Sequence, residues 1–255
     1  YFPTQKMQEE MKIYFHDLLS QYPSGLDVQN LLAGKMFGIE SEDIVVGNGA
    51  SELIRGLGKA LNGTFGLVFP TFNEYPESIG YDRIVQHISN NADFSYSVDD
   101  LLYLARKSDN LLLINPDNPS GNFIKKTELI KIADELQRMN KMFILDESFV
   151  DFSTNGESES LINQEILDRY QNLIVIKSIS KSYGVPGIRL GILATSNKDV
   201  MSSIRRDVSI WNINSFGEFF LQIIGKYKSD YVLGCSNIIQ ERGRFYKHLE
   251  KIPYL

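Results

Sequence analysis

The side chains richest in chemistry lie in Ser178-Ile179-Ser180-Lys181-Ser182-Tyr183-Gly184-Val185-Pro186-Gly187-Ile188-Arg189. The lysine follows an apolar run, Leu173–Ile176, that reads as a buried strand. Hydroxyl residues flank it, two glycines and a proline follow, and an arginine stands eight positions on. Small residues let a bulky group approach the backbone. Hydroxyls with an arginine suit a phosphate. A lysine in a partly desolvated pocket can lose its proton and attack a carbonyl. Taken alone, Lys181 would read as a solvated loop lysine and Arg189 as a strand-edge charge. Phosphate, carbonyl and amine together suit pyridoxal 5′-phosphate (PLP).

Further constellations upstream bear on the same question. In Gly47-Asn48-Gly49-Ala50-Ser51-Glu52 a strand turns through glycines into a helix. Free N–H groups and the helix dipole there can bind an anion, although an ordinary strand-to-helix turn has the same look. A dinucleotide fingerprint would need glycine at position 52, which is Glu52. Phe72 follows a strand end, where it could stack on a planar ring or simply join the core. Asn115-Pro116-Asp117-Asn118-Pro119-Ser120-Gly121 is dense in turn formers, as expected of a shaped loop at the carboxyl edge of a sheet. Asn118 could donate to a phenolate oxygen. Asp146 closes an apolar strand, and a carboxylate there needs a partner. A pyridinium N–H, a helix cap or an ion pair would each serve.

The elements that must position these groups alternate. Helical spacing over 4–20 and about 27–37 precedes a strand at 44–46 and a helix to about Leu61, with Asn62-Gly63 as its C-cap. Strands follow at 64–69, 83–88, 111–114, 142–145, 173–176 and 188–194. Helices are expected after the loop at 70–76, over 98–107 with Ser97 as N-cap, and over 127–139; 153–160 reads as a polar loop. The remainder is mostly helical, at about 215–227 and 229–250, ending at Lys251-Ile252-Pro253. Strand–helix alternation predicts an α/β fold with a mainly parallel sheet flanked by helices.

Composition narrows the partners. The chain has 255 residues, 43% hydrophobic and 23% charged, within the range of a globular protein. A net charge of −6 and the lack of a basic run argue against nucleic acid. No apolar run approaches a membrane span. The lone Cys235 excludes an internal disulfide and accords with a cytoplasmic location. The start at Tyr1 and the end at Tyr254-Leu255 suggest a piece of a longer chain.

In this order, these motifs resemble the fold-type I PLP-dependent aminotransferases of class I/II, and within them the histidinol-phosphate aminotransferase and threonine-phosphate decarboxylase subgroup. The resemblance runs from Tyr1 to the helix near 250. It implies that Lys181 carries the cofactor as a Schiff base and moves the substrate Cα proton. Asp146 would partner the pyridine nitrogen, Asn118 would donate to O3′, and Phe72 would stack on the ring. Ala50, Ser51, Ser178, Ser180 and Arg189 would line the phosphate site. Tyr22, in Gln21-Tyr22-Pro23, would reach the cofactor of a neighbouring subunit in a homodimer. It also implies an N-terminal arm and helix at 1–25, a PLP-binding large domain at 26–228, and an interdomain helix at 229–255 leading to a small domain.

Two departures qualify the resemblance. Phe149 stands at a cofactor-lining position where aminotransferases usually carry a tyrosine that bonds O3′, so that bond is lost. The chain also stops where the small domain should begin, and that domain normally supplies the arginine that holds the substrate carboxylate. The implied activity is amino transfer between a small-molecule amino donor, an amino acid or phosphorylated amine, and a 2-oxo acid. The run Phe149-Val150-Asp151-Phe152, with Pro70-Thr71-Phe72 and Trp211-Asn212-Ile213-Asn214, leans towards the alternative, decarboxylation of a phosphorylated amino acid. A non-catalytic module of the same fold is the third reading.

Overall fold

Seven five-residue strands arise where apolar runs end in polar or turn residues: β1 (Ile44–Asn48), β2 (Phe65–Phe69), β3 (Ile84–Ile88), β4 (Asn110–Ile114), β5 (Met142–Asp146), β6 (Leu173–Lys177) and β7 (Leu190–Ala194). The structure, a computed structural model, describes residues 2–252. Tyr1, the expected helix stop at Pro253 and the last residues of the 229–255 segment lie outside them. The strands form one sheet in the order β1-β7-β6-β5-β4-β2-β3. Only β7 runs against its neighbours; the other pairings are parallel.

Side chains along the central strands alternate between two cores, as the pleat requires. Leu111, Leu113, Phe143, Leu145, Leu173 and Val175 face one layer with helices 26–37, 98–107, 126–138 and 215–223. Leu112, Ile114, Ile144, Ile174 and Ile176 face the other, against helices 50–60, 74–79 and 198–207. Apolar residues on both faces are the mark of a sheet covered on both sides. The parallel strands bring Asn48, Phe69, Asn115, Asp146 and Ser178 to one edge of the sheet. Because β7 is reversed, its first residue Leu190 pairs with Asn48 at that same edge and brings Arg189 with it.

Several boundaries differ from the sequence reading. The N-terminal helix divides at Tyr14 into Gln5–Ile13 and Phe15–Ser20. Helix 50–60 ends on an extended Leu61, and Gly63 serves the following turn at φ 78°. The strand expected from 188 begins at Leu190, because Pro186–Ile188 form a 3-10 turn and Arg189 is left-handed. A six-residue helix, Gln164–Arg169, capped by the Asn163 side chain, was not foreseen. Part of the polar 153–160 loop, Gly156–Glu159, is also a 3-10 turn. Ser97 caps helix 98–107 as expected, in a reciprocal capping box with Asp100.

Polar contacts fasten the N-terminal arm to the C-terminal helices. The Glu218 carboxylate accepts from the Ser24 N–H at 2.7 Å and its hydroxyl at 2.9 Å. Tyr227 and Lys226 both donate to Glu10. Among the described residues no helix is long and apolar enough to cross a membrane.

Candidate active site

Lys181 sits on a single helical turn, Ile179–Ser182, that leaves the end of β6. Its Nζ lies 4.4 Å from the centroid of the Phe72 ring and 5.1 Å from that of Phe149. The ammonium thus meets two π faces, an arrangement attractive to a cation. Both rings are half-buried, while Lys181 is exposed, so the desolvated pocket expected for it is only partly present. Phe72 also packs against the core.

Asp146 ends β5 and is 4% exposed. Its Oδ2 accepts from the Tyr75 hydroxyl at 2.7 Å and its Oδ1 from the Ser148 N–H at 2.8 Å. Burial, then the Asp146 charge, pushes the Tyr75 pKa well above its ordinary value, so Tyr75 remains a donor. The carboxylate is fixed on two sides and retains lone pairs for a further donor. Ser148 in turn accepts from the Ser178 N–H at 3.0 Å, tying the ends of β5 and β6 together. Tyr75 escapes sequence reasoning: its one local signal is that it stands three residues after Phe72, whose ring it meets edge-on at 6.2 Å.

The turn-rich loop after β4 is pinned by Asn115, whose side chain donates to Ile124 O at 2.9 Å and accepts from its N–H at 2.8 Å. Beyond the pin, Asn118 lines a cleft of about 470 Å³ together with Phe149, Phe152 and Arg242. A second cleft, of about 810 Å³, holds Lys181 and shares Phe152 and Arg242 with the first.

On the other side of Lys181, the glycine turn delivers Ala50 and Ser51 as the first residues of helix 50–60. The N-cap is Gly49, with no side-chain cap bond, so the first-turn amides stay available. Gly49 holds φ 75° and ψ 163°, and a Cβ there would meet Arg189 Nη2 at 2.6 Å. Gly191 is equally tight: its Cβ would lie 2.3 Å from Ala50 N. Arg189 is itself left-handed at φ 56°, and its carbonyl accepts from Gly49 N–H at 2.9 Å. A non-glycine residue held there commonly marks a functional site. Its guanidinium approaches Ser51 Oγ at 3.5 Å and makes no ion pair among the described residues. Amide dipoles and an unmatched guanidinium form a cradle for an anion.

Ser180, expected at this cradle, is differently employed. The Ser180 hydroxyl accepts from Leu190 N–H at 2.7 Å and donates to Leu190 O at 3.2 Å, so it secures the start of β7. Tyr22 is 78% exposed and stacks on Trp211 with centroids 4.4 Å apart, which places it on the surface of its own chain.

Beneath the site lies a charge network that sequence reasoning missed. Lys177 Nζ pairs with Asp151 at 2.7 Å, with both side chains no more than 3% exposed. Glu147 is fully buried and accepts from Leu161 N–H at 2.6 Å and from the Ser160 hydroxyl. Burial pushes its pKa up to about 7 despite those donors.

Comparison with known proteins bears on what this geometry serves. The family model described as aminotransferase class I and II matches residues 6–254. A CMP-5′-(3-aminopropyl)phosphonate synthase from Streptomyces rubellomurinus is 32% identical over 255 residues, which cover 99% of this chain and 40% of that protein. An L-serine phosphate decarboxylase from Campylobacter jejuni is 30% identical over 243 residues, 92% of this chain and 62% of the relative. The chain therefore spans less than two thirds of either relative. The crystal structure of the histidinol-phosphate aminotransferase from Clostridium acetobutylicum superposes with a TM-score of 0.83 at 26% identity, covering 97% of this chain and 74% of that one.

Proposed function

The chain belongs to the aminotransferase class I and II family, whose cofactor is PLP, and from that premise we propose that it acts at the Cα of an amino acid with Lys181 as the catalytic lysine. The observation that carries the reading is the Lys181 ammonium held against Phe72 and Phe149 at the sheet edge that also carries Asp146 and Arg189. The residues present fit the cofactor. The uncapped amides of Ala50 and Ser51, with Ser178 and the unmatched Arg189, would hold its phosphate. Asp146, immobilised by Tyr75 and Ser148, would accept from the ring N–H. Asn118 would donate to the phenolate oxygen, and Phe72 would cover a ring face. When bound, PLP supplies an electron sink for the pair left as a bond at Cα breaks.

The chain's own part is binding and proton movement. Lys181 Nζ would hold the cofactor and, with its amine free, would take or return a proton at the substrate Cα. Its two ring neighbours, Phe72 and Phe149, exclude water from one side of that nitrogen. The Tyr75 hydroxyl and Ser148 N–H keep the Asp146 carboxylate aimed along one direction, which is a positioning role.

Amino-group transfer to a 2-oxo acid is the family's reaction and our first reading. The second reading, decarboxylation of a phosphorylated amino acid, is favoured by Phe149, which places an apolar ring rather than a hydroxyl 5.1 Å from Lys181 Nζ. The likeness to an L-serine phosphate decarboxylase supports it as well. Losing a carboxylate's charge is eased where the surroundings are apolar. Incubating the full-length protein with PLP, phosphorylated amino acids and 2-oxoglutarate separates the two. Formation of a new amino acid with no CO₂ supports transfer, and CO₂ release independent of the oxo acid supports decarboxylation. We also propose that the chain works as a homodimer in the cytoplasm, with the exposed Tyr22 directed to a second copy. An equilibrium sedimentation profile of a monomer would contradict the dimer.

A further inference from the structure

We propose that Arg242 holds an acidic group of the substrate, and hence that the substrate is an amino acid with an anion for this guanidinium to grip. The inference rests on the reading of Lys181 given above. Arg242 lies on the long helix Lys228–Leu249 and is the charged residue common to both clefts beside the candidate lysine. One cleft brings it together with Asn118 and Phe149, and the other with Lys181. Phe152 lines both and fixes the guanidinium, because Arg242 Nη1 donates to its carbonyl.

That tether uses one donor of five. Among the described residues the other donors have no partner, and Arg242 makes no ion pair. The nearest acid in sequence, Glu241, lines the Lys181 cleft as well, but it pairs with Arg244 at 3.0 Å. Around Arg242 the walls are largely apolar: Phe149 and Phe152 on one side, Ile238 and Phe245 on the other. Arg242 is exposed, lines both clefts and is anchored at one edge with its remaining donors unpartnered among the described residues; such a planar, weakly hydrated cation matches a carboxylate or phosphate through paired hydrogen bonds.

The shared chemistry is an oxyanion with two acceptor oxygens, and its source is either the α-carboxylate or a side-chain phosphate. Calorimetric titration of the PLP-loaded, full-length protein with three probes distinguishes them: O-phospho-L-serine, O-phosphoethanolamine and L-serine. Arg242→Gln is expected to weaken binding by about 10- to 100-fold, the loss of a charge-assisted hydrogen bond, with Arg242→Lys recovering part of it. Loss confined to the two phosphorylated probes assigns the phosphate. Loss confined to the two carboxylate-bearing probes assigns the α-carboxylate. Equal loss for all three marks a brace and overturns the proposal. Unchanged affinities, or a wild-type protein that binds none of the three, overturn it too. The bound-cofactor absorption band, recorded for each variant, keeps the inference separate from its premise. An intact band with unchanged affinities refutes Arg242 alone, whereas failure of the cofactor to attach at Lys181 refutes the underlying reading.

Discussion

Replacing Gly49 by alanine tests the anion cradle through the backbone alone. Gly49 adopts φ 75° and ψ 163°, a region almost reserved for glycine, where another residue costs about 1–3 kcal/mol. The new Cβ would lie 2.6 Å from Arg189 Nη2 and 3.1 Å from its Cζ. An ordinary contact starts near 3.4 Å, so the guanidinium must retreat by about 0.8 Å. If Arg189 holds the cofactor phosphate, that retreat weakens a charge-assisted hydrogen bond worth roughly 1.5–3 kcal/mol, or about 10- to 100-fold in PLP affinity. Gly63→Ala supplies the control. Gly63 is also left-handed, at φ 78°, and its Cβ would meet Asp109 Oδ2 at 2.4 Å, beyond the opposite end of helix 50–60 from the cradle. Both variants should unfold at lower urea concentration than wild type, but only Gly49→Ala should lose PLP affinity in a fluorescence titration. Wild-type PLP affinity in Gly49→Ala, with its stability loss present, would refute the cradle.

Three further outcomes follow from the buried charges and the aromatic wall. A native Glu147 pKa near 7, above the ordinary 4.5, means that the folded state binds the proton more tightly than the unfolded state. Relative to Glu147→Gln, wild type should therefore lose about 3 kcal/mol of stability as pH rises from 4.5 through 7; a pH-independent difference in urea midpoints contradicts this. Lys177→Met strands Asp151 in the interior and should cost about 3–5 kcal/mol, with Lys177→Met/Asp151→Leu recovering most of it; equal midpoints for the single and double variants refute the coupling. Phe149→Tyr should restore a hydroxyl donor beside the cofactor's phenolate oxygen and lower the pH at which the bound cofactor's absorption changes by about one unit. An unmoved spectral titration would show that the hydroxyl does not reach.

The residues legible in the sequence were those that local rules can place. Apolar runs marked six of the seven strands and the β-branched Ile84-Val85 start marked the seventh, and the carboxyl edge of a mainly parallel sheet then gathered Phe72, Asp146 and Lys181 although they are far apart in the chain. Gly49 and Gly191 were visible as part of a glycine turn or not at all, because their need for glycine comes from Arg189 and Ala50 across the sheet. The Tyr75–Asp146 bond spans 71 positions and the Lys177–Asp151 pair 26, and no periodicity announces either. Ser180 looked like a phosphate ligand because of its hydroxyl, yet its environment offered it the Leu190 backbone first. Arg242 carried no local signal, since its position depends on how the long helix crosses Phe152. The short helix at 164–169 was missed because six residues give too little periodicity to read.

Lys181 is the proposed carrier of the cofactor. Borohydride reduction of the full-length, PLP-loaded protein, followed by peptide mass mapping, tests it directly. A pyridoxyl adduct is expected on the peptide that contains Lys181 and is expected to be absent from Lys181→Ala. An adduct on a different lysine in wild type, or one that persists undiminished in Lys181→Ala, would contradict it.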